Sequence, residues 1–201
     1  MPAMAARADV RGEQASLDDV GMPLSEVTFA CVDVETTGGA PPDSRITEIG
    51  AVKYRGGELG GTFHSLVDPG VPIPRFVSHL TGIDDLMLRD APPVEAVLPS
   101  LVEFLRGTVF VAHNAGFDVR FLNHDLARLG YDPIPGPPVC TARLARRVLS
   151  PDDVPNLRLD TLARFFPAAR QPAHRPWPTP KPAPTSSTGS STSGGGWASS
   201  P

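Results

Sequence analysis

Residues 27 to 35, Val-Thr-Phe-Ala-Cys-Val-Asp-Val-Glu, form a β-branched and apolar run interrupted by two carboxylates, and Thr36-Thr37-Gly38-Gly39 breaks it. Such a run reads as a strand delivered into a turn. Asp33 and Glu35 are two apart, so on a strand their side chains point to the same face. Two carboxylates side by side in an apolar strand repel each other and are costly to bury unless a cation neutralises them. Oxygen ligands of this kind suit magnesium or manganese. The same pair also reads as a solvated strand end, and the run alone does not choose between the two.

Two further strands fit the sequence, Ile46 to Tyr54 and Gly61 to Val67, with Arg55-Gly56-Gly57-Glu58 as a hairpin turn between them. Short turns imply an antiparallel meander. The period then changes to a helical one. Val94, Val97, Leu98, Leu101, Val102 and Leu105 fall on one face of a helix that Gly107 ends. Thr108 to Ala112 reads as a short buried strand, Phe117 to Leu129 as a helix stopped by Gly130, and helices also fit Thr141 to Leu149 and Leu157 to Phe166. Strands first and helices after, with β–α crossovers, describe an α/β domain with a mixed sheet flanked by helices.

The ends have a different composition. Residues 1 to 25 lack a period and read as a flexible leader, which places a folded domain at 26–170. From Gln171 to Pro184 nearly every second residue is proline, and from Thr185 onward the chain is almost all Ser, Thr and Gly, with no acidic residue in either stretch. Prolines forbid a continuing helix and Ser/Gly runs bury no core, so 171–201 reads as a disordered tail.

A net charge of −4 excludes a protein that coats nucleic acid by bulk electrostatics, although clustered carboxylates that hold cations lower the formal charge themselves. Two cysteines, Cys31 and Cys140, build neither a disulfide framework nor a zinc spacing, so a reducing cytoplasm is the expectation. No apolar run reaches the roughly 18–20 residues of a membrane span, so no membrane partner is expected.

A second polar element, Phe110-Val111-Ala112-His113-Asn114-Ala115-Gly116-Phe117-Asp118, takes a buried strand into a turn and puts Asp118 in the first turn of the next helix. Asp118 there either complements the helix dipole or faces a ligand at the strand ends. Together with Val-Asp-Val-Glu-Thr-Thr-Gly at 32–38, this element resembles the motifs of the DnaQ-like DEDDh 3′→5′ exonuclease family. That family includes the epsilon subunit of bacterial DNA polymerase III and ribonuclease T. Glu48-Ile49-Gly50-Ala51-Val52, His79-Leu80-Thr81-Gly82-Ile83, Cys140-Thr141 and residues 157 to 163 follow in the order that the family shows.

The resemblance implies a ribonuclease H-like fold and hydrolysis of the terminal phosphodiester at a 3′ end of single-stranded DNA or RNA. Two divalent ions, Mg2+ or Mn2+, would stabilise the attacking and leaving oxygens. Asp33, Glu35 and Asp118 match three carboxylate ligands, and His174 matches the general base. Thr37, His79 and Thr81 match positions lining the 3′-terminal nucleotide. Asn114 and Phe117 would flank it, though Phe117 equally suits the core. His64, His113 and His124 have no family role. A DNA polymerase subunit is an implied partner.

The pattern fails at its end. The family places a carboxylate five residues after its histidine on one helix, whereas Thr179 stands five after His174 among Pro176, Pro178 and Pro180. Codons CGG GCC CTG GCC GAC GCC GAA G, for Arg-Ala-Leu-Ala-Asp-Ala-Glu, become Arg-Pro-Trp-Pro-Thr-Pro-Lys on loss of one G, and that is residues 175–181. The tail from Pro176 therefore reads as a frameshift product, in the gene or its sequencing, and weak or absent nuclease activity is expected of the chain as written. A non-catalytic module on the same fold, binding nucleic-acid ends or a polymerase, is the alternative. A third reading makes the proline-rich tail a ligand for a partner domain.

Overall fold

The computed structural model of the chain describes residues 21–166. Most of the expected leader, the whole 171–201 tail, His174 and Thr179 lie outside the described residues. Eleven elements occur within them. They run β1 (Thr28–Thr36), β2 (Ile46–Arg55), β3 (Glu58–Leu66), α1 (Arg75–Thr81), α2 (Asp85–Leu88) and α3 (Val94–Leu105). There follow β4 (Val109–Ala112), α4 (Gly116–Arg128), β5 (Val139–Cys140), α5 (Thr141–Val148) and α6 (Leu159–Phe165).

The strands make one mixed sheet in the order β3-β2-β1-β4-β5. β1, β2 and β3 pair antiparallel, as the short turns dictate, while β4 and β5 join parallel after helical crossovers. The hairpin is tighter than the sequence suggests. Gly56 and Gly57 take φ of 59° and 86°, so Arg55 pairs directly with Glu58 and β3 begins three residues earlier than expected. Pairing is then irregular beside Lys53 and Tyr54, where Gly60 has no partner opposite it.

β1 alternates strictly. Ala30, Val32, Val34 and Thr36 are buried, while Cys31 and Asp33 are exposed on the opposite face. The buried face joins Ile49 and Ala51 of β2, Phe110 of β4, Leu98 and Leu101 of α3, and Phe121, Leu122 and Leu126 of α4 in one core. Phe117 packs against this core, its ring 5.0 Å from that of Phe121. The carboxylate face of β1 is therefore turned away from α3 and from Phe121, Leu122 and Leu126 of α4.

Two helices absent from the sequence reading fill residues 75 to 88. A second, smaller core of Ile73, Val77, Ile83 and Leu88 holds α1 and α2 together against Leu66 at the end of β3. Their periods are too short to show in the pattern. Gly82, at φ 71°, ends α1 by returning its N–H to the Ser78 carbonyl, and the Asp84 carboxylate caps α2 by accepting from the Met87 N–H. α6 starts at Leu159 rather than Leu157, because the Asn156 side chain holds the Arg158 N–H and the Thr161 hydroxyl. Cys31 sits on the exposed face of β1.

Candidate active site

β1 runs past its parallel partner. β4 pairs with β1 only from Phe29 to Cys31, so the Val34 N–H on that side has no strand carbonyl opposite it. The Asp118 carboxylate takes that place, accepting from Val34 N at 3.0 Å. Asp118 comes from the first turn of α4 and is 3% exposed. The turn that delivers it needs Asn114 at φ 60°, a left-handed conformation that asparagine tolerates better than other side-chain-bearing residues. The Phe117 N–H closes the turn on the Asn114 carbonyl at 2.8 Å.

This anchoring brings Asp118 beside Asp33 and Glu35. Burial pushes the Asp118 carboxyl up to about 7, and the Asp33 and Glu35 charges add to it, against the N–H groups of Asp118 itself and Val34. Glu35 is likewise pushed up to about 7, by burial first and then by the charges of Asp33 and Glu48. Two carboxyls pushed up to about 7 by burial first, with the Asp33 charge adding to both, mark a place where positive charge is favourable. Hard divalent cations suit an all-carboxylate donor set. Among the described residues no three His, Cys, Asp or Glu side chains are gathered closely enough to hold an ion.

Glu48, which the sequence placed only within a family segment, belongs to this neighbourhood. It stands directly opposite Glu35 in the β1–β2 ladder and is 2% exposed. His64, which has no family role, sets its Nε2 2.6 Å from Glu48 Oε1. The other carboxylate oxygen, Oε2, is buried with no hydrogen-bond partner among the described residues. The signal was available in the sequence: a glutamate inside a buried strand run needs a partner.

The other residues singled out in the sequence have these surroundings. Thr37 is buried at the end of β1, its hydroxyl accepting from Arg45 N at 3.0 Å, so it ties the loop after β1 to the start of β2. His79 is exposed in the last turn of α1. Thr81 is buried, donating to the Val77 carbonyl at 3.0 Å and accepting from Ile83 N at 3.2 Å. Asn114 is exposed. His113 contacts the Thr141 hydroxyl through Nδ1 at 2.9 Å, which joins the Asp118 turn to the start of α5. Burial lowers the His113 pKa, against the Leu157 backbone and the Asp33 charge.

Residues 30–176 match the family model RNase_T, described as Exonuclease. The chain belongs to this exonuclease family. It is 51% identical over 162 residues to a Mycobacterium tuberculosis protein named as a bifunctional exonuclease/endonuclease, covering 77% of this chain and 25% of that one. It is 39% identical over 174 residues to the PolC-type DNA polymerase III of Caldanaerobacter subterraneus subsp. tengcongensis, covering 83% of this chain and 12% of that one. The exonuclease sequence here thus spans a quarter or less of these relatives. Among solved structures, exonuclease X in complex with 5′-overhanging duplex DNA superposes with a TM-score of 0.57 at 26% identity, covering 73% of this chain and 81% of that one. The zinc-bound E. coli exonuclease I–single-stranded DNA complex superposes with a TM-score of 0.64 at 19% identity, covering 74% and 37%, and shows the shared ribonuclease H-like fold. Exonucleases of this family use divalent metal ions.

Proposed function

We propose that this chain carries a 3′→5′ exonuclease site that removes terminal nucleotides from single-stranded DNA or RNA. The observation that carries the reading is the meeting of Asp33 and Glu35 from β1 with Asp118, held on the Val34 N–H at the open end of the β1–β4 seam. These three carboxylates would hold magnesium or manganese. When bound, such ions supply the positive charge that stabilises the attacking and leaving oxygens of phosphoryl transfer.

The chain's own groups do the rest. His174 takes a proton from water as its oxygen attacks the terminal phosphorus. The bond from phosphorus to the 3′ oxygen breaks, that oxygen regains a proton from solvent, and a nucleoside 5′-monophosphate leaves. Thr37, His79 and Thr81 line the terminal nucleotide, with Asn114 and the edge of Phe117 beside it. A DNA polymerase subunit is the proposed protein partner, and the cytoplasm the proposed location; among the described residues no helix is long and apolar enough to cross a membrane.

Activity of this chain as written is impaired in this reading. Thr179 stands where the family has its last carboxylate, and the family match ends at residue 176, beside the start of the altered reading frame. Thr179 in place of the last carboxylate also favours a second reading, an end-binding module without catalysis. The discriminating experiment is release of mononucleotides from 3′-labelled and 5′-labelled single strands with magnesium or manganese, using Asp33→Ala as control. Release of labelled mononucleotide from the 3′ label first, lost in the control, supports the nuclease. Tight binding of 3′ ends with no release in any metal, even from a frame-restored chain, overturns it in favour of the module.

A further inference from the structure

α5 has the sequence Thr-Ala-Arg-Leu-Ala-Arg-Arg-Val, with three arginines and no acidic residue in eight positions. Arg143, Arg146 and Arg147 are exposed, and none of them makes an ion pair among the described residues. The nearest acids that follow are Asp152 and Asp153, and Asp153 is committed to the N–H and hydroxyl of Ser150 at 2.7 and 2.8 Å. Arginines in a last turn complement the helix dipole, which accounts for Arg146 and Arg147. Arg143 lies in the first turn, where the dipole opposes a cation, so helix stability does not account for it.

Arg143 and Arg147 share one groove. Pro137, Pro138 and Cys140 line it with α5, whose Leu144 is 52% exposed. Cys140 adjoins the turn that delivers Asp118. Burial would raise the Cys140 thiol, but backbone N–H groups of Arg143, Ala115, Asn114 and Ala142 lie close enough to draw it down instead. The His113–Thr141 contact fastens the same two segments together. Positions 143 and 147 are four apart on the helix, about 6 Å along its axis. That is on the order of the spacing between successive phosphates of an extended strand.

We propose that this groove is the path of the sugar–phosphate backbone upstream of the 3′-terminal nucleotide, with Arg143 and Arg147 each gripping one phosphate and Leu144 carrying sugar or base. The inference rests on the nucleic-acid reading above but not on catalysis. Guanidinium groups pair bidentately with phosphate oxygens, and a chain of net charge −4 gains a local attraction that its bulk charge does not supply. An acidic protein is the competing occupant. The groove's start beside the Asp118 turn favours the strand that would enter that site.

The test measures binding of fluorescent single strands to the full chain in chelator, so that loss of hydrolysis does not affect it. R143A/R147A should leave a dinucleotide's affinity unchanged. On a longer strand it should weaken binding and flatten the slope of log K against log salt by about 1.4, at roughly 0.7 per phosphate contact released. R146A, which removes one positive charge outside the groove against the two removed within it, should leave the slope as it is, and matched thermal melts check folding. Equal slopes and affinities for R143A/R147A and the parent overturn the proposal. A loss that R146A reproduces in full does so too, since it shows diffuse attraction, and unchanged nucleic-acid binding with loss of an acidic protein's binding assigns the groove to that protein.

Discussion

The Val34 N–H donates to Asp118 Oδ1 at 3.0 Å across 84 residues of sequence. A strand end and a helix start thereby share one hydrogen bond, and the carboxylate that completes the candidate site also satisfies the backbone of the strand that carries the other two.

The first prediction separates those two tasks. Asp118→Asn keeps an oxygen acceptor for Val34 and removes a charge that its neighbours repel, so the folded chain should melt at the same temperature or higher. Asp118→Ala leaves a buried N–H unpaired and should cost about 1–3 kcal/mol. In a frame-restored chain both should lower exonuclease rate by about 100-fold or more. Thermal melts beside the mononucleotide assay check this, and an Asn variant with full activity would refute the ligand role.

A second prediction concerns pH. The folded Glu35 and Asp118 carboxyls, at about 7, lie above their ordinary values of 4.5 and 3.8, so the folded state holds these protons more tightly than the unfolded one. Without divalent cations their contribution to stability is full below about pH 4 and is lost as pH rises through about 7. Melting in chelator should therefore fall across this window, and magnesium should raise the melting temperature more at pH 8 than at pH 5. The double variant Glu35→Gln/Asp118→Asn should flatten both trends. A magnesium effect independent of pH would count against shared sites for protons and cation.

The His64–Glu48 pair gives a third. With Glu48 Oε2 already lacking a partner among the described residues, His64→Ala strips the Oε1 contact as well. The His64 side chain is only 17% exposed, so solvent does not freely replace it. Destabilisation of about 1–3 kcal/mol is expected in urea unfolding. Glu48→Gln should relieve the repulsion on Glu35 and lower its pKa, visible as a shift of the stability profile to lower pH.

A fourth addresses the end of the chain. Restoring the frame from Pro176 onward, so that Asp replaces Thr179 within a proline-free segment, should raise magnesium-dependent exonuclease activity by orders of magnitude over the chain as written. Thr179→Asp alone, among the prolines, should recover little. Equal activity of the original and the frame-restored chain would remove the case for impairment.

The sequence by itself determined the parts that depend on local period. Alternation along β1 put Asp33 and Glu35 on one face, Gly56-Gly57 turned the hairpin, and the spacing from Val94 to Leu105 and from Phe117 to Leu129 laid two helices against the other face. Motif order then identified the exonuclease family. Short elements escaped it, because the seven residues of α1 and four of α2 are held by Leu66 and their own small core rather than by a period. Tertiary structure alone decided which distant groups meet β1. The shortness of β4 left the Val34 N–H open for Asp118, the β1–β2 register set Glu48 against Glu35, and the His113–Thr141 contact fastened the start of α5 to the turn before α4. Those meetings depend on where strands end and how chains cross, and such distances are fixed by packing rather than by neighbouring residues.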